Sequence, residues 1–186
     1  MTPISEWYAV LGEYSFPTTF LYLRDEEIEA LVEGDPDQPV AKKTARRLQS
    51  AIRHLTGTCF VGTDLCAPTD SPRFKPGRWV SFGRTAWRQL GTSEKVKEVL
   101  KAGRTRLLTV RPFRRMDKTR EFRMFVKDRR LVGMSQYHLE RHFYRLDGRR
   151  DEIWRKGVQL SEEISDLLPA PDQVVDVYLT SSDTYM

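Results

Sequence analysis

The sequence predicts an α+β fold, two lobes with antiparallel or mixed sheets and flanking helices. Three observations carry that prediction. First, residues 120–136 read R-E-F-R-M-F-V-K-D-R-R-L-V-G-M-S-Q, in which Phe122, Met124 and Val126 alternate with Glu121, Arg123, Phe125 and Lys127. Asp128, Arg129 and Arg130 interrupt that alternation and Leu131 to Ser135 resume an extended run, so the stretch predicts a β-hairpin. Second, residues 40–55, 93–102 and 151–167 have apolar residues at helical spacing. Third, these helices and the strand-like runs between them follow no strict βαβ alternation, which argues against a purely parallel sheet.

Taken in order, Trp7, Tyr8, Leu11, Tyr14 and Phe16 form an aromatic opening, and Thr18 to Leu23 read as a short strand. Arg24-Asp25-Glu26-Glu27 then starts a helix whose acids complement the helix dipole, with Ile28, Leu31 and Val32 as its buried stripe. Residues 34–39 are a loop by composition, and Val40 to Leu55 form an amphipathic helix with Lys42, Lys43, Arg46, Arg47 and Arg53 on its wet side. Thr58 to Gly62 read as a buried strand leading into the proline-broken loop 63–72, a place where α/β folds often hold functional residues. Residues 73–83 read as irregular, anchored by Phe74, Trp79 and Phe82, and Thr85 to Leu90 as a helical turn. Ser93 is the expected N-cap of a helix ending at Gly103, and Thr105 to Phe113 a strand. After the hairpin, Asp151 to Leu167 form a helix weakened at Gly157. Val174 to Leu179 form a strand enclosing Asp176, residues 180–183 a turn, and Thr184 to Met186 the first residues of another strand. The expected division is an N-terminal lobe of residues 1–103 and a C-terminal lobe of residues 104–186.

Composition narrows the class. With 186 residues, 39% hydrophobic and 31% charged, the chain is long enough to build a core without disulfide staples. No apolar run is long enough to span a membrane and the first residues do not form a signal peptide, so the expected location is the cytoplasm. Cys59 and Cys66 lack CxxC spacing, and with His54, His138 and His142 they make no metal-ligand pattern, which favours reduced, buried thiols. The net charge of +5 is concentrated: from Lys101 to Arg130 there are twelve bases against three acids. Such a block attracts phosphate, on a nucleotide or on a nucleic acid. Within it, a strand face displaying Glu121, Arg123 and Lys127 is either a solvated surface or the wall of a charged ligand site. Asp176 among valines calls for a counter-charge, because a buried carboxylate is costly unless paired or bound to a cation.

Taken together, L-L-T-V-R-P-F, E-F-R-M-F-V-K with L-V-G-M-S-Q, the loop A-P-T-D and the final V-V-D-V-Y resemble the cell-division-cycle protein 123 family. The resemblance implies an ATP-grasp fold, ATP and Mg2+ as cofactors, and binding residues at Arg111, Glu121, Arg123 and Lys127. It also implies a metal-facing role for Asp176, and names no catalytic residue. Gly62 stands where the family places a lysine, and Tyr137-His138 follow Ser135-Gln136 where the family has R-D. The family's aspartate-x-asparagine-proline segment would fall after Met186, so the expectation is a truncated or reduced member lacking the last strand or strands. Three functions follow as expectations: an ATP-binding protein with a translation factor as partner, an ATP-dependent RNA ligase-like enzyme, and a non-catalytic RNA- or protein-binding module using the basic region 101–130.

Overall fold

The structure, a computed structural model, describes residues 2–55, 57–73 and 79–180, together with the backbone of 184–185. The chain divides into two compact units, residues 1–5 with 17–113 and residues 6–16 with 114–186. It opens with α1 (Ile4–Leu11), an element for which the aromatic opening gave no periodicity.

In the first unit, β1 (Thr19–Tyr22), β2 (Cys59–Thr63) and β3 (Leu107–Pro112) form an antiparallel sheet in the order β1-β3-β2. Four helices, α2 (Asp25–Glu33), α3 (Pro39–His54), α4 (Gly83–Gly91) and α5 (Glu94–Lys101), belong to the same unit. Their apolar stripes meet the sheet in one core that includes Leu31, Leu48, Ile52, Val61, Trp87, Leu90, Val96, Leu108 and Val110. The basic side chains of α3 stay outside it, as an amphipathic helix requires. Gly83 lets α4 approach α3 closely, because a Cβ there would lie 2.0 Å from the Ala45 carbonyl oxygen.

Two sequence expectations are corrected in this unit. Residues 85–90 are not an isolated turn but the middle of α4, whose Trp87 is 1% exposed and fills the core. Trp79 and Phe82 are not anchors; they are 51% and 67% exposed, and Val80 supplies the buried contact there by bridging to Cys59. Phe74 lies outside the described residues.

The second unit is built on β4 (Glu121–Lys127), β5 (Arg130–Gln136), β6 (Gln173–Leu179) and β7 (Thr184–Tyr185), in the order β5-β4-β6-β7. The predicted alternation holds: Phe122, Met124 and Val126 turn inward to a core shared with Leu11, Val177 and the Ile153, Leu160 and Ile164 stripe of α6 (Arg150–Ile164). Gly157 in α6 is a packing device: a Cβ there would come within 2.8 Å of the Met134 sulfur, so glycine lets the helix sit close to β5. At the hairpin tip Asp128 and Arg129 have φ of 50° and 59°, the left-handed backbone of a two-residue primed turn. Such a conformation is uncommon for arginine. The turn is held from outside: the Asp128 and Arg129 amides donate to the Asp172 carboxylate and the Pro171 carbonyl, both at 2.9 Å, and the Arg129 guanidinium donates to the Ser165 carbonyl. Phe125 pairs with Gly133 and Val126 with Leu131, so Val132 is the extra residue of a bulge. β7 pairs antiparallel with β6 where a further strand was expected; the turn read between them lies mostly outside the described residues. Among the described residues no helix is long and apolar enough to cross a membrane.

Candidate functional site

The inner face of the second sheet is committed to α6, which leaves the other face for the charged side chains of β4. Register then decides their neighbours, since residues directly opposite on adjacent strands share a face. Arg123 stands opposite Asp176 on β6 and opposite Ser135 on β5. Its Nε and Nη2 donate to the two Asp176 oxygens at 2.7 and 3.0 Å, a bidentate pair, both side chains remaining partly open to solvent. The Asp176 carboxylate holds the guanidinium in its charged form, raising its pKa above the ordinary arginine value.

Asp176 is thus not a buried carboxylate. The valines on either side of it alternate, with Val177 buried and Asp176 on the open face. Its counter-charge is the Arg123 guanidinium. Among the described residues no group of three His, Cys, Asp or Glu side chains is placed to hold a metal ion.

Tyr137 completes the cluster. The Arg123 guanidinium lies 5.0 Å from the centre of its ring, so Tyr137 supplies a π face to the pair. Two-residue alternation from Ser135 was the signal that could have placed Tyr137 on this face. One pair further along, Phe125 and Val174 stand opposite each other and are both exposed, giving the charged pair an apolar neighbour.

The other proposed binding residues are distributed. Glu121 pairs with Tyr178 on the same face as Arg123 and lies 3.5 Å from His138. Lys127 is four residues from Arg123, about 13 Å along an extended strand, and closes the hairpin opposite Arg130. Arg111 belongs to the first unit, on β3 opposite Phe60.

Two first-unit motif positions have structural explanations. Gly62 is buried, and a Cβ on it would lie 2.9 Å from the Cys66 carbonyl oxygen. That carbonyl is fixed there by the Thr63 amide at 2.8 Å, so the backbone after β2 occupies the space a side chain would enter. Asp70, the acid of A-P-T-D, accepts bonds from the Ser93 hydroxyl at 2.5 Å and the Lys95 amide at 3.1 Å. Desolvation pushes its carboxyl up, but those bonds, with further backbone amides, outweigh it and hold the group below its ordinary value. Asp70 therefore caps α5 together with Ser93, whose own oxygen accepts from the Val96 amide.

Comparisons with known proteins agree with this architecture. The structure superposes on Cdc123 from Schizosaccharomyces pombe with a TM-score of 0.84 at 18% identity, covering 98% of this chain and 80% of that one. A C-terminally truncated form of the same yeast protein gives 0.82, with the same identity and coverage. A RimK-domain ATP-grasp protein from Sphaerobacter thermophilus gives 0.49 at 15% identity, covering 98% of this chain and 54% of that one. No curated protein matches the sequence. The D123 family model matches residues 22–186, nearly the whole chain from β1 onward. The chain belongs to the D123 family, the family of Cdc123.

Proposed function

We propose that the protein binds ATP, with Mg2+, on the open face of the second sheet. The observation that supports this most directly is the Arg123–Asp176 pair, a phosphate-binding group and a magnesium-binding group held side by side by strand register. Arg123 offers a planar fork of donors suited to phosphate oxygens. Asp176 is a single carboxylate, which fits Mg2+ in the mode where substrate phosphates and water supply the remaining ligands. Family membership supports the same reading through its ATP-grasp architecture, and the exposed Phe125 and Val174 provide an apolar surface beside the charges. We assign Glu121 and Lys127 to the rim of this site, and the protein to the cytoplasm.

Calorimetry on the whole chain tests this. ATP with Mg2+ should give a binding isotherm that Arg123→Ala weakens by about ten- to a hundredfold, the worth of a lost hydrogen bond to a charged group. Asp176→Ala should weaken the magnesium-dependent part, with the circular dichroism spectrum unchanged in both variants. A wild-type chain that gives no heat with ATP and Mg2+ would refute the proposal. The pair would then be a cross-strand ion pair contributing about 0.2 to 1 kcal/mol to stability.

A further inference from the structure

The twelve bases between Lys101 and Arg130 do not form one patch. Lys101, Arg104 and Arg106 belong to the first unit, and Arg106 is paired with Asp25. Lys127, Arg129 and Arg130 are at the hairpin tip, while Arg114, Arg115, Lys118 and Arg120 precede β4, about 20 Å away at the other end of a seven-residue strand.

We propose that the second unit binds single-stranded RNA in a groove formed by residues 115–119 and 141–145, apart from the Arg123–Asp176 pair. This groove encloses about 680 Å3. Arg115, Lys118, Arg141 and Arg145 line it with Asp117 as the one acid, and that acid is already bonded to Arg145. Among the described residues no carboxylate lies within ion-pair distance of Arg115, Lys118 or Arg141. Glu140 interacts electrostatically with Lys118, but the lining still sets four bases against one acid, a net positive charge that draws a phosphate backbone.

Charge alone would suit an acidic protein equally well, and the aromatic groups decide between the two. In Arg141-His142-Phe143-Tyr144-Arg145 the His142 and Tyr144 rings stack with centroids 4.5 Å apart and planes 26° from parallel. Tyr144 is nevertheless 82% exposed, so its other face is open. The stack is held in place, because His142 Nε2 lies 2.9 Å from the Asp147 carboxylate. Arg141 covers Phe143 at 5.4 Å from the ring centre, which makes a second rigid basic-aromatic contact. A preformed ring face flanked by arginines is the combination that single strands use, bases stacking on the ring while phosphates meet the bases of the protein. Duplex RNA keeps its base faces covered and cannot use that platform.

Fluorescence anisotropy of a labelled unstructured RNA dodecamer with the full chain provides the test. Binding should weaken linearly in log-log plots against salt, and Arg141→Ala or Lys118→Ala should each lower the slope by about 0.7. Tyr144→Ala should weaken binding by roughly five- to a hundredfold, and Tyr144→Phe should restore it, since the stack needs the ring and not the hydroxyl. Tyr144 is exposed, so its variants should fold, with circular dichroism as the check on every variant, and Arg123→Ala should leave RNA binding unchanged. The proposal is overturned if the RNA does not bind at low salt, if Tyr144→Ala binds as the wild type does, or if polyglutamate or duplex RNA competes as well as the single strand.

Discussion

Replacing Glu27 by alanine should destabilise the first unit far more than truncating its neighbour Glu26 on α2. The side chain is buried, 1% exposed, yet fully partnered. Arg47 Nη1 donates to both of its oxygens at 2.7 Å, the Thr44 hydroxyl at 2.9 Å, and the Arg24 amide at 3.0 Å, closing a capping box at the start of α2. Arg47 also donates to the Tyr22 carbonyl at 2.7 Å, so the carboxylate links α2 to α3 and, through Arg47, to β1. Desolvation raises the Glu27 pKa, but the Arg47 bond, the Arg24 amide and the Thr44 hydroxyl together outweigh it and hold the group below the ordinary 4.5. Removing it costs about 1 kcal/mol for the lost cap and about 1.5 to 3 kcal/mol for the charged hydrogen bond. Arg47 remains a third exposed and can rehydrate, which keeps the total near 3 kcal/mol, at the lower end of the range for a broken buried pair. In a chain of this size that is about 6 to 12 °C in the melting temperature followed by circular dichroism. Glu26→Ala, which removes a loose exposed pair to Arg24 at 3.8 Å, serves as the control and should shift it little. Because the folded-state pKa is lowered, the stabilisation is full above pH 4.5 and is lost as pH falls through the folded value, so wild type and Glu27→Ala should converge in acid. Equal effects of the two substitutions at neutral pH would refute this account of Glu27.

Three further outcomes follow from the geometry. Gly62→Lys, which installs the residue the family places there, should lower the melting temperature without raising ATP affinity by calorimetry, because its Cβ would press on the Cys66 carbonyl. Gly83→Ala should cost more than about 3 kcal/mol in urea unfolding, since the obstructing atoms are backbone, whereas Gly148→Ala, with nothing within 4 Å, should change stability by less than about 0.5 kcal/mol. Asp117 should titrate at about 2 by carbon NMR, chiefly because the Arg145 guanidinium donates to it, and Arg145→Ala should return it toward 3.8. Because the folded-state pKa of Asp117 is lowered, what this ion pair contributes is present above pH 3.8 and is lost as pH falls toward 2.

Periodicity made most of the fold legible. The hairpin, α3, α5 with its Ser93 cap, and α6 are all regular enough that residue spacing alone finds them. What escaped depended on long-range packing. Trp87, Trp79 and Phe82 are chemically alike in a sequence, and only the close α3–α4 approach at Gly83 decides which aromatic is buried. Glu27 read as one of three acids in a first turn, because nothing local shows that Thr44 and Arg47, a helix away, converge on it. Within the candidate site, alternation gave the face of Arg123 correctly, but its partner across the sheet depends on strand order and register, which no window of sequence contains. Asp176 illustrates the difference: its neighbours Val175 and Val177 suggest burial, but the pleat turns both inward and Asp176 outward. The A-P-T-D loop read as a site for function, yet its aspartate is spent on capping α5.

The mutual neutralisation of Arg123 and Asp176 has a consequence for selectivity. Each already satisfies the other, so an incoming ligand competes with an existing bidentate contact rather than with water alone. A bare anion that captured the guanidinium would leave the carboxylate only water as a partner, and a bare cation would do the same to the guanidinium. A zwitterionic or metal-paired ligand, offering both signs a few ångströms apart, replaces both halves of the clasp at once, where a single ion would leave the other half to water.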